Sequence, residues 1–398
     1  MEFVLQFMKG TNIKRYLSLI ISVLLIFLSN NIQAQEDVRV FSDSVYLRNL
    51  RDSLEASLKR SEYRAEVREK GIKFKPLANL DYSPKTKLGV SAGVVGEYLT
   101  GDMPGLPISN VSLEIGYTTN NSHFGEIKGR NFNRNNRWVI DYILHYSSLN
   151  SYFWGIGYNN NSIAENKSEY TRVNAIIGGE LRYRITRQLS VGPLAGFNYS
   201  KGKKFTRPDL IEGFPLSFRG THAGIHLNYD SRDDTYFPTR GINARFAQRF
   251  YPNIFFDITP YYTTEFIFDT FLQLWSSAIL AVDVTGEFNF GDVPWTFYPQ
   301  MGGHSRMRGY YKGKYTDKNL ITAQAELRQT IFGNHRIVLW AGAGNVFPSF
   351  DEFRTDHTMP TFGIGYRFQP HKRLILRIDF GIGCRGQNGF SLGLKEAF

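Results

Sequence analysis

Leu374–Ile382 reads LILRIDFGI, and Thr361–Phe368 shortly before it reads TFGIGYRF. In both, apolar side chains recur at every second position, and most of the positions between hold small, polar or charged residues. Successive side chains on a strand point to opposite faces, so this alternation describes a wall with one apolar face and one small or polar face. Lys87–Tyr98 (KLGVSAGVVGEY), Arg137–Tyr146 (RWVIDYILHY), Tyr152–Tyr158 (YFWGIGY), Thr221–Tyr229 (THAGIHLNY) and Ile337–Ala343 (IVLWAGA) read as further strands, set apart by Gly, Pro, Asn and Asp. Many run to nine residues or more, the length that suits a wall with lipid outside and water inside. At roughly twenty residues per strand and connection, the chain from about Tyr82 onward makes about sixteen antiparallel strands. The expected fold is therefore an all-β transmembrane β-barrel preceded by a short N-terminal periplasmic helix. A soluble β-sandwich or propeller would want shorter strands and a more apolar interior.

Composition agrees. The 398 residues are 15% aromatic, with 23 Tyr, 32 Phe and 37 Gly. Tyr and Phe favour pleated, half-buried surfaces, and rings with a polar tip collect at membrane interfaces. After the leader described next, no apolar run is long enough for a transmembrane helix. The single cysteine, Cys384, staples nothing. The formal charge of +11 suggests an anionic partner, but Lys and Arg are spread along the strands instead of clustered. The expectation is a basic barrel lumen and basic rims near lipopolysaccharide or lipid phosphates, with no nucleic-acid partner.

The first segment, residues 1–34, reads as a secretory signal peptide. Lys9, Lys14 and Arg15 precede the apolar run Tyr16–Leu28 (YLSLIISVLLIFL), which is too short to span a bilayer stably, and cleavage is placed after Ala34. Localisation in the outer membrane of a Gram-negative cell follows from export and the barrel together. Residues 35–80 read as a helical lead-in on the periplasmic side. Leu47, Leu50, Leu54 and Leu58 fall on one helical face, Asp43 or Ser44 caps its start, and the segment ends at Pro76. Residues 81–398 are assigned to the barrel. Gly389–Phe398 (GFSLGLKEAF) reads as a last strand ending in an assembly signal, carried by Gly389, Gly393 and Phe398; Glu396 stands where many such signals hold an apolar residue.

Two stretches carry more than fold. One is Tyr229–Gly241 (YDSRDDTYFPTRG), in which Asp230, Arg232 and Asp233 surround Pro238 and Gly241 and suit a hydrogen-bonded turn at the barrel rim. The other is Gly302–Tyr311 (GGHSRMRGYY), followed by Ala325–Arg328 (AELR) and Gly342–Phe347 (GAGNVF). Together they resemble the BamA/TamA, or bacterial surface antigen, barrel family, over about residues 80–398 and most strongly after Leu227. The resemblance implies a long loop folded into the lumen, with an Arg-Gly-aromatic tip that meets acidic residues on nearby strands. Here that tip is Met307, Arg308, Gly309 and Tyr310, and Glu326 is the expected partner, since an arginine fork bonds a carboxylate in two places. The family's Asp before the Ala-Gly-Asn run is replaced by Gly342, which leaves the expected lock one acid short. Members normally carry periplasmic POTRA modules, and residues 36–80 are too few to form one.

The resemblance implies a barrel that assists insertion or translocation of protein or lipid through a weak seam between its first and last strands. Gly89, Gly93 and Gly96 at one edge and Gly389 and Gly393 at the other either loosen that pairing or allow curvature. The expected surroundings are outer-membrane lipid and lipopolysaccharide, the barrel assembly machinery during biogenesis, and a protein client or periplasmic partner. The alternatives are a passive pore with a basic lumen, or a structural surface-antigen barrel serving a partner. No enzyme, cofactor or metal is expected. His222 and His226 stand too far apart on a strand to share a metal, and His145 with Ser147 lacks a third group and an oxyanion site, even with Asn150 nearby.

Overall fold

The computed structural model describes residues 61–83, 87–235, 237–371 and 374–398. The chain divides into two units, residues 1–69 and 70–398. Of the first, residues 61–69 are described, and they are helical. The expected leader and the leucine stripe at Leu47–Leu58 lie outside the described residues.

The second unit is one sheet of sixteen strands, each antiparallel to its neighbours in sequence. They are β1 (Ile72–Ser83), β2 (Lys87–Tyr98), β3 (Ser109–Thr118), β4 (His123–Phe132), β5 (Trp138–Phe153), β6 (Ser168–Arg184), β7 (Leu189–Lys203) and β8 (Ser217–Asp230). The second half comprises β9 (Gly241–Tyr251), β10 (Tyr261–Trp275), β11 (Ala278–Gly291), β12 (Asn319–Phe332), β13 (His335–Phe347), β14 (Met359–His371), β15 (Leu374–Gly383) and β16 (Asn388–Gly393). The sheet curls until β1 and β16 touch, yet no ladder joins them among the described residues. With an even number of strands, both ends of the sheet lie at one rim. The four longest connections, 154–167, 204–216, 292–318 and 348–358, all lie at the other.

The wall is apolar outside and charged inside. On β15, Leu376, Ile378, Phe380 and Ile382 face outward and are exposed, while Ile375, Arg377 and Asp379 face inward and are buried. β14 repeats this with Phe362, Ile364 and Tyr366 outside and Thr361 and Arg367 inside. The largest fully buried side chains are arginines, whereas Ile115 is 62% and Phe390 59% exposed. In water that arrangement is upside down; in hydrocarbon the outer row is in its preferred solvent, and every paired strand satisfies its neighbour's backbone. No helix among the described residues is long and apolar enough to cross a membrane, so the crossing is made by strands.

Three boundaries differ from the sequence reading. β1 begins at Ile72, ahead of the boundary read at residues 80 and 81, and contains Pro76. Proline offers no N–H to a ladder but is tolerated at a sheet edge, which is where β1 lies. Tyr152–Tyr158 is not a strand of its own. β5 continues through Ser147 and Ser151, both buried, to Phe153, and Gly155 and Gly157, each at φ 86°, then turn the chain into a short helix, Tyr158–Ser162. The last strand ends at Gly393, so Glu396 and Phe398 lie beyond it.

A charge placed on the outer row tests the inversion. Ile378→Arg, near the middle of β15, is expected to cost about 2–4 kcal/mol of folding stability in lipid vesicles. Asn228→Arg, on the inner row of β8, is expected to cost less than half as much. Guanidinium titration of both variants in the same vesicles checks this.

Candidate functional site

The connection 292–318 between β11 and β12 crosses the barrel mouth. At its start Trp295 packs on Phe153 of β5 and Tyr170 of β6, and its Nε1 donates to the Pro215 carbonyl at 2.9 Å. Phe297 meets Phe218 of β8, Tyr251 of β9 and, through the same cluster, Tyr261 of β10. Further on, Met301, Met307, Tyr310 and Tyr315 pack against Leu320 of β12, Val346 of β13 and Met359 of β14. The two limbs of the loop also pair with each other: Gln300 bridges Thr316, and Met301 N–H donates to the Tyr315 carbonyl at 2.9 Å. A loop with its own ladder and apolar underside keeps a defined shape inside a wet lumen.

At the tip, Arg308 is 1% exposed. Its Nη1 donates to Asp379 Oδ2 of β15 at 2.9 Å, its Nη2 to Glu326 Oε1 of β12, and its plane lies 3.8 Å from the Trp340 ring of β13. Thr361 Oγ1 of β14 donates to the Arg308 carbonyl. Tyr310 hydroxyl donates to the Pro360 carbonyl at 2.6 Å and accepts from the Cys384 N–H at 2.8 Å. The wall makes room with glycine. A Cβ at Gly381 would stand 2.6 Å from the Arg308 carbonyl carbon, and one at Gly383 would strike the Tyr310 ring. Gly309 is at φ 102°, a conformation few other residues adopt.

The charges continue beyond the tip. Glu326 also accepts from Arg328 Nε at 3.0 Å, and Asp379 from Arg367 Nη1 at 2.6 Å, with Arg377 3.5 Å away. Arg367 Nε reaches Glu396 Oε2 at 2.9 Å. Arg328 donates to the Phe398 oxygen at 3.2 Å, and the Phe398 ring stands 6.4 Å from that of Phe271, an inward residue of β10. A buried ion is expensive unless it is paired, and here Arg308, Arg328 and Arg367 each lie between two acceptors, while Arg377 faces Asp379.

The structure thus brings Arg308, Gly309, Tyr310 and Glu326 together. The acid missing at Gly342 is supplied from elsewhere: Asp379, two strands further on, takes the second side of the fork. Its signal was present in LILRIDFGI as an acid on the inward row, but nothing in local spacing linked it to Arg308. Gly389 lies against the Gly309 backbone, with a Cβ there at 3.5 Å, and Gly393 lies under the Arg377 guanidinium, so these positions give clearance to inward groups. Phe398 is off the strand and turned inward. In the rim turn, Arg232 pairs with Asp230 at 2.8 Å, Asp233 accepts from the Thr239 and Arg240 N–H groups at 2.9 and 3.2 Å, Pro238 is buried, and Gly241 is at φ 106°. Partial burial alone would raise the Asp233 pKa, but the Thr239 hydroxyl and the backbone donors outweigh it and hold it below the usual carboxylate range. Its stabilising contribution is therefore present at neutral pH and lost on acidification through that lowered pKa.

Beside the loop lies a cavity of about 810 Å³, lined by Asp141, Glu180, Arg182, Arg245, Arg249 and Glu265 among others, with Tyr251 and Phe297 also on its wall. It carries five cationic and four acidic side chains, so this part of the lumen is mixed in sign and not basic as read from the sequence. His226 Nδ1 pairs with Glu180 at 2.7 Å, while the His222 ring lies tilted against that of Tyr251. His145 faces Glu126 at 3.2 Å, and Ser147 Oγ has no hydrogen-bond partner among the described residues.

Residues 109–389 match the Omp85 superfamily domain. Among solved structures, BamA from Haemophilus ducreyi lacking POTRA domains 1-3 aligns with a TM-score of 0.56 at 15% identity, covering 81% of this chain and 69% of that one. CdiB from Escherichia coli gives 0.54 at 11% and CdiB from Acinetobacter baumannii 0.51 at 10%, again over 81% of this chain. The chain spans about three fifths of the length of those two CdiB chains, 60% and 59%. No curated protein matches the sequence.

Removing one partner of a buried ion pair typically costs about 3–5 kcal/mol. Arg308→Ala is expected to expose Lys312 and Lys314 to trypsin in the folded barrel. The double variant with Glu326→Ala should lose less than the sum of the two single losses. Gly381→Val keeps every charge and is expected to expose the same two sites, because the added side chain occupies the place of the tip.

Proposed function

The chain belongs to the Omp85 superfamily of outer-membrane barrels, and from that premise we propose that it assists insertion or translocation of protein or lipid at the seam between β1 and β16. The observation that carries this reading is the seam itself. β16 has six residues and β1 has twelve, and no ladder joins them among the described residues. Unpaired N–H and C=O groups at membrane depth are costly, and an incoming strand that adds to the edge would satisfy them. The outer faces on both sides, Ile72 and Phe74 on β1 and Phe390 and Leu392 on β16, are exposed and apolar, so such a strand would arrive through lipid. The working surroundings in this reading are outer-membrane lipid and lipopolysaccharide, with the barrel assembly machinery acting during the protein's own biogenesis and a client strand or periplasmic partner at the seam.

A passive pore fits less well, because the apolar layer built on Trp295, Phe297 and Tyr298 reaches strands from β5 to β10 across the mouth, while Met301 to Tyr315 covers β12 to β14. A structural barrel that serves a partner has no such need of an open edge. No chemical step enters this reading: it requires strand pairing and lipid contact only.

Depletion of the protein is expected to lower the amounts of several other barrel proteins in the outer membrane, and a photo-crosslinking residue at Leu392 is expected to capture one of them during its assembly. Unchanged levels of all other barrels on depletion would overturn the proposal. In planar bilayers the protein should show small, irregular openings, enlarged by Trp295→Ala with Phe297→Ala; a large steady conductance in the unaltered protein would favour the pore.

A further inference from the structure

Two residues ahead of Arg308, the loop carries a second guanidinium with its own receptor. Arg306 Nε donates to both oxygens of Asp283, at 3.0 and 2.8 Å, and its Nη2 lies 2.8 Å from Asp283 Oδ2 and 4.0 Å from Asp269 Oδ1. Asp269 and Asp283 are direct register partners on β10 and β11, and both face inward and are buried. Side by side in a low-dielectric site, two carboxylates repel each other and call for a cation between them. Arg306 is the one cation within 4.0 Å of either among the described residues. Asn243 Nδ2 donates to Asp269 at 2.8 Å, and Gln324 Nε2 donates to the Ser305 carbonyl at 3.2 Å, tying the loop backbone to the same place. Asp269 Oδ1 has no hydrogen-bond partner among the described residues, so the Arg306 charge is what faces it.

The receptors of the two arginines lie on different parts of the wall, Arg306 on β10 and β11, Arg308 on β12 and β15. We infer that Arg306 is a second positioning residue, and that the loop is a strap fastened at two points, with the Asp269–Asp283 pair as the receptor for the first. Neither fastening suffices alone to hold the tip at Gly381. The inference concerns how the loop is held and does not rest on what the barrel carries.

Cys384 is the reporter. It is half-buried, the chain has no other cysteine, and it packs against the cluster that holds Met307 and Tyr310. The full-length protein, folded in vesicles, is treated with a maleimide and the labelling rate of Cys384 is read, with the guanidinium midpoint measured alongside. Arg306→Ala is expected to raise the rate by about tenfold or more, since it leaves two buried carboxylates side by side without the half-buried cation that faces them. Arg306→Lys, which keeps the charge, is expected to recover part of that change, and Asp283→Asn to raise the rate as Arg306→Ala does. The Arg306→Ala/Asp283→Asn double variant should label no faster than the faster single variant. A wild-type labelling rate in Arg306→Ala beside a fast one in Arg308→Ala would overturn the proposal, as would additive effects of Arg306→Ala and Asp283→Asn. If Arg306→Ala does not fold, Arg306→Gln and Asp283→Asn carry the same comparison, and wild-type labelling in both overturns it.

Discussion

Lipid offers no hydrogen bonds, and that single constraint organises the molecule. A backbone crossing hydrocarbon must satisfy its N–H and C=O groups from within the chain, and a sheet curled on itself does so everywhere except where its two edges meet. The same solvent inverts the usual rule for side chains. Leu376, Ile378 and Phe380 stand outward because hydrocarbon welcomes them, and Arg367, Arg377 and Asp379 stand inward because nothing outside would. What a soluble protein would treat as its core is here the wall facing outward, and the interior becomes a polar space that must be filled or left wet.

Part of that space is filled and part is open, and the inward residues explain the division. On β13 to β16 the inward positions include Gly344, Gly381, Gly383 and Gly389, whose missing side chains leave a trough for the loop, and Gly363, which makes room for the Trp340 ring under Arg308. On β6 to β10 the inward positions carry Glu180, Arg182, Arg245, Arg249 and Glu265, which pair with one another around the cavity. Small residues admit the loop's tip on one side, and long charged residues occupy the wall on the other. Arg308 then holds the loop where the glycines admit it, taking one acceptor on β12 and another on β15.

Much of the barrel was legible in the sequence, because period-two alternation depends on neighbours alone. Lys87–Tyr98 is β2 to the residue, and LILRIDFGI and TFGIGYRF fall inside β15 and β14. The pairing of Arg308 with Glu326 was legible through the resemblance of the tip and the following strand. What stayed hidden needed the closed cylinder. Asp379 stands 71 residues from Arg308, and Asp269 and Asp283 become neighbours of Arg306 only once β10, β11 and the loop are assembled. The joined β5 is hidden in the sequence because the polar run Ser147–Ser151 (SSLNS) separates two alternating stretches, whereas a wet interior accepts small polar side chains in a strand. The short β16 was missed because Glu396 and Phe398 gave no sign of turning inward.

That inward turn bears on how the sheet's weakest edge behaves. Beyond β16, residues 396–398 turn inside, where Glu396 meets Arg367 and Phe398 meets Arg328 and the ring of Phe271. The edge strand is thus moored from within, across the lumen, to strands β10, β12 and β14. Its backbone could part from β1 at little expense, since no ladder holds them, yet any large outward swing must first draw a carboxylate and an aromatic ring out of the interior. The inward course of the chain's end is therefore set by side chains on β10, β12 and β14, and Arg328 and Arg367 among them share their acids with the arginine tip.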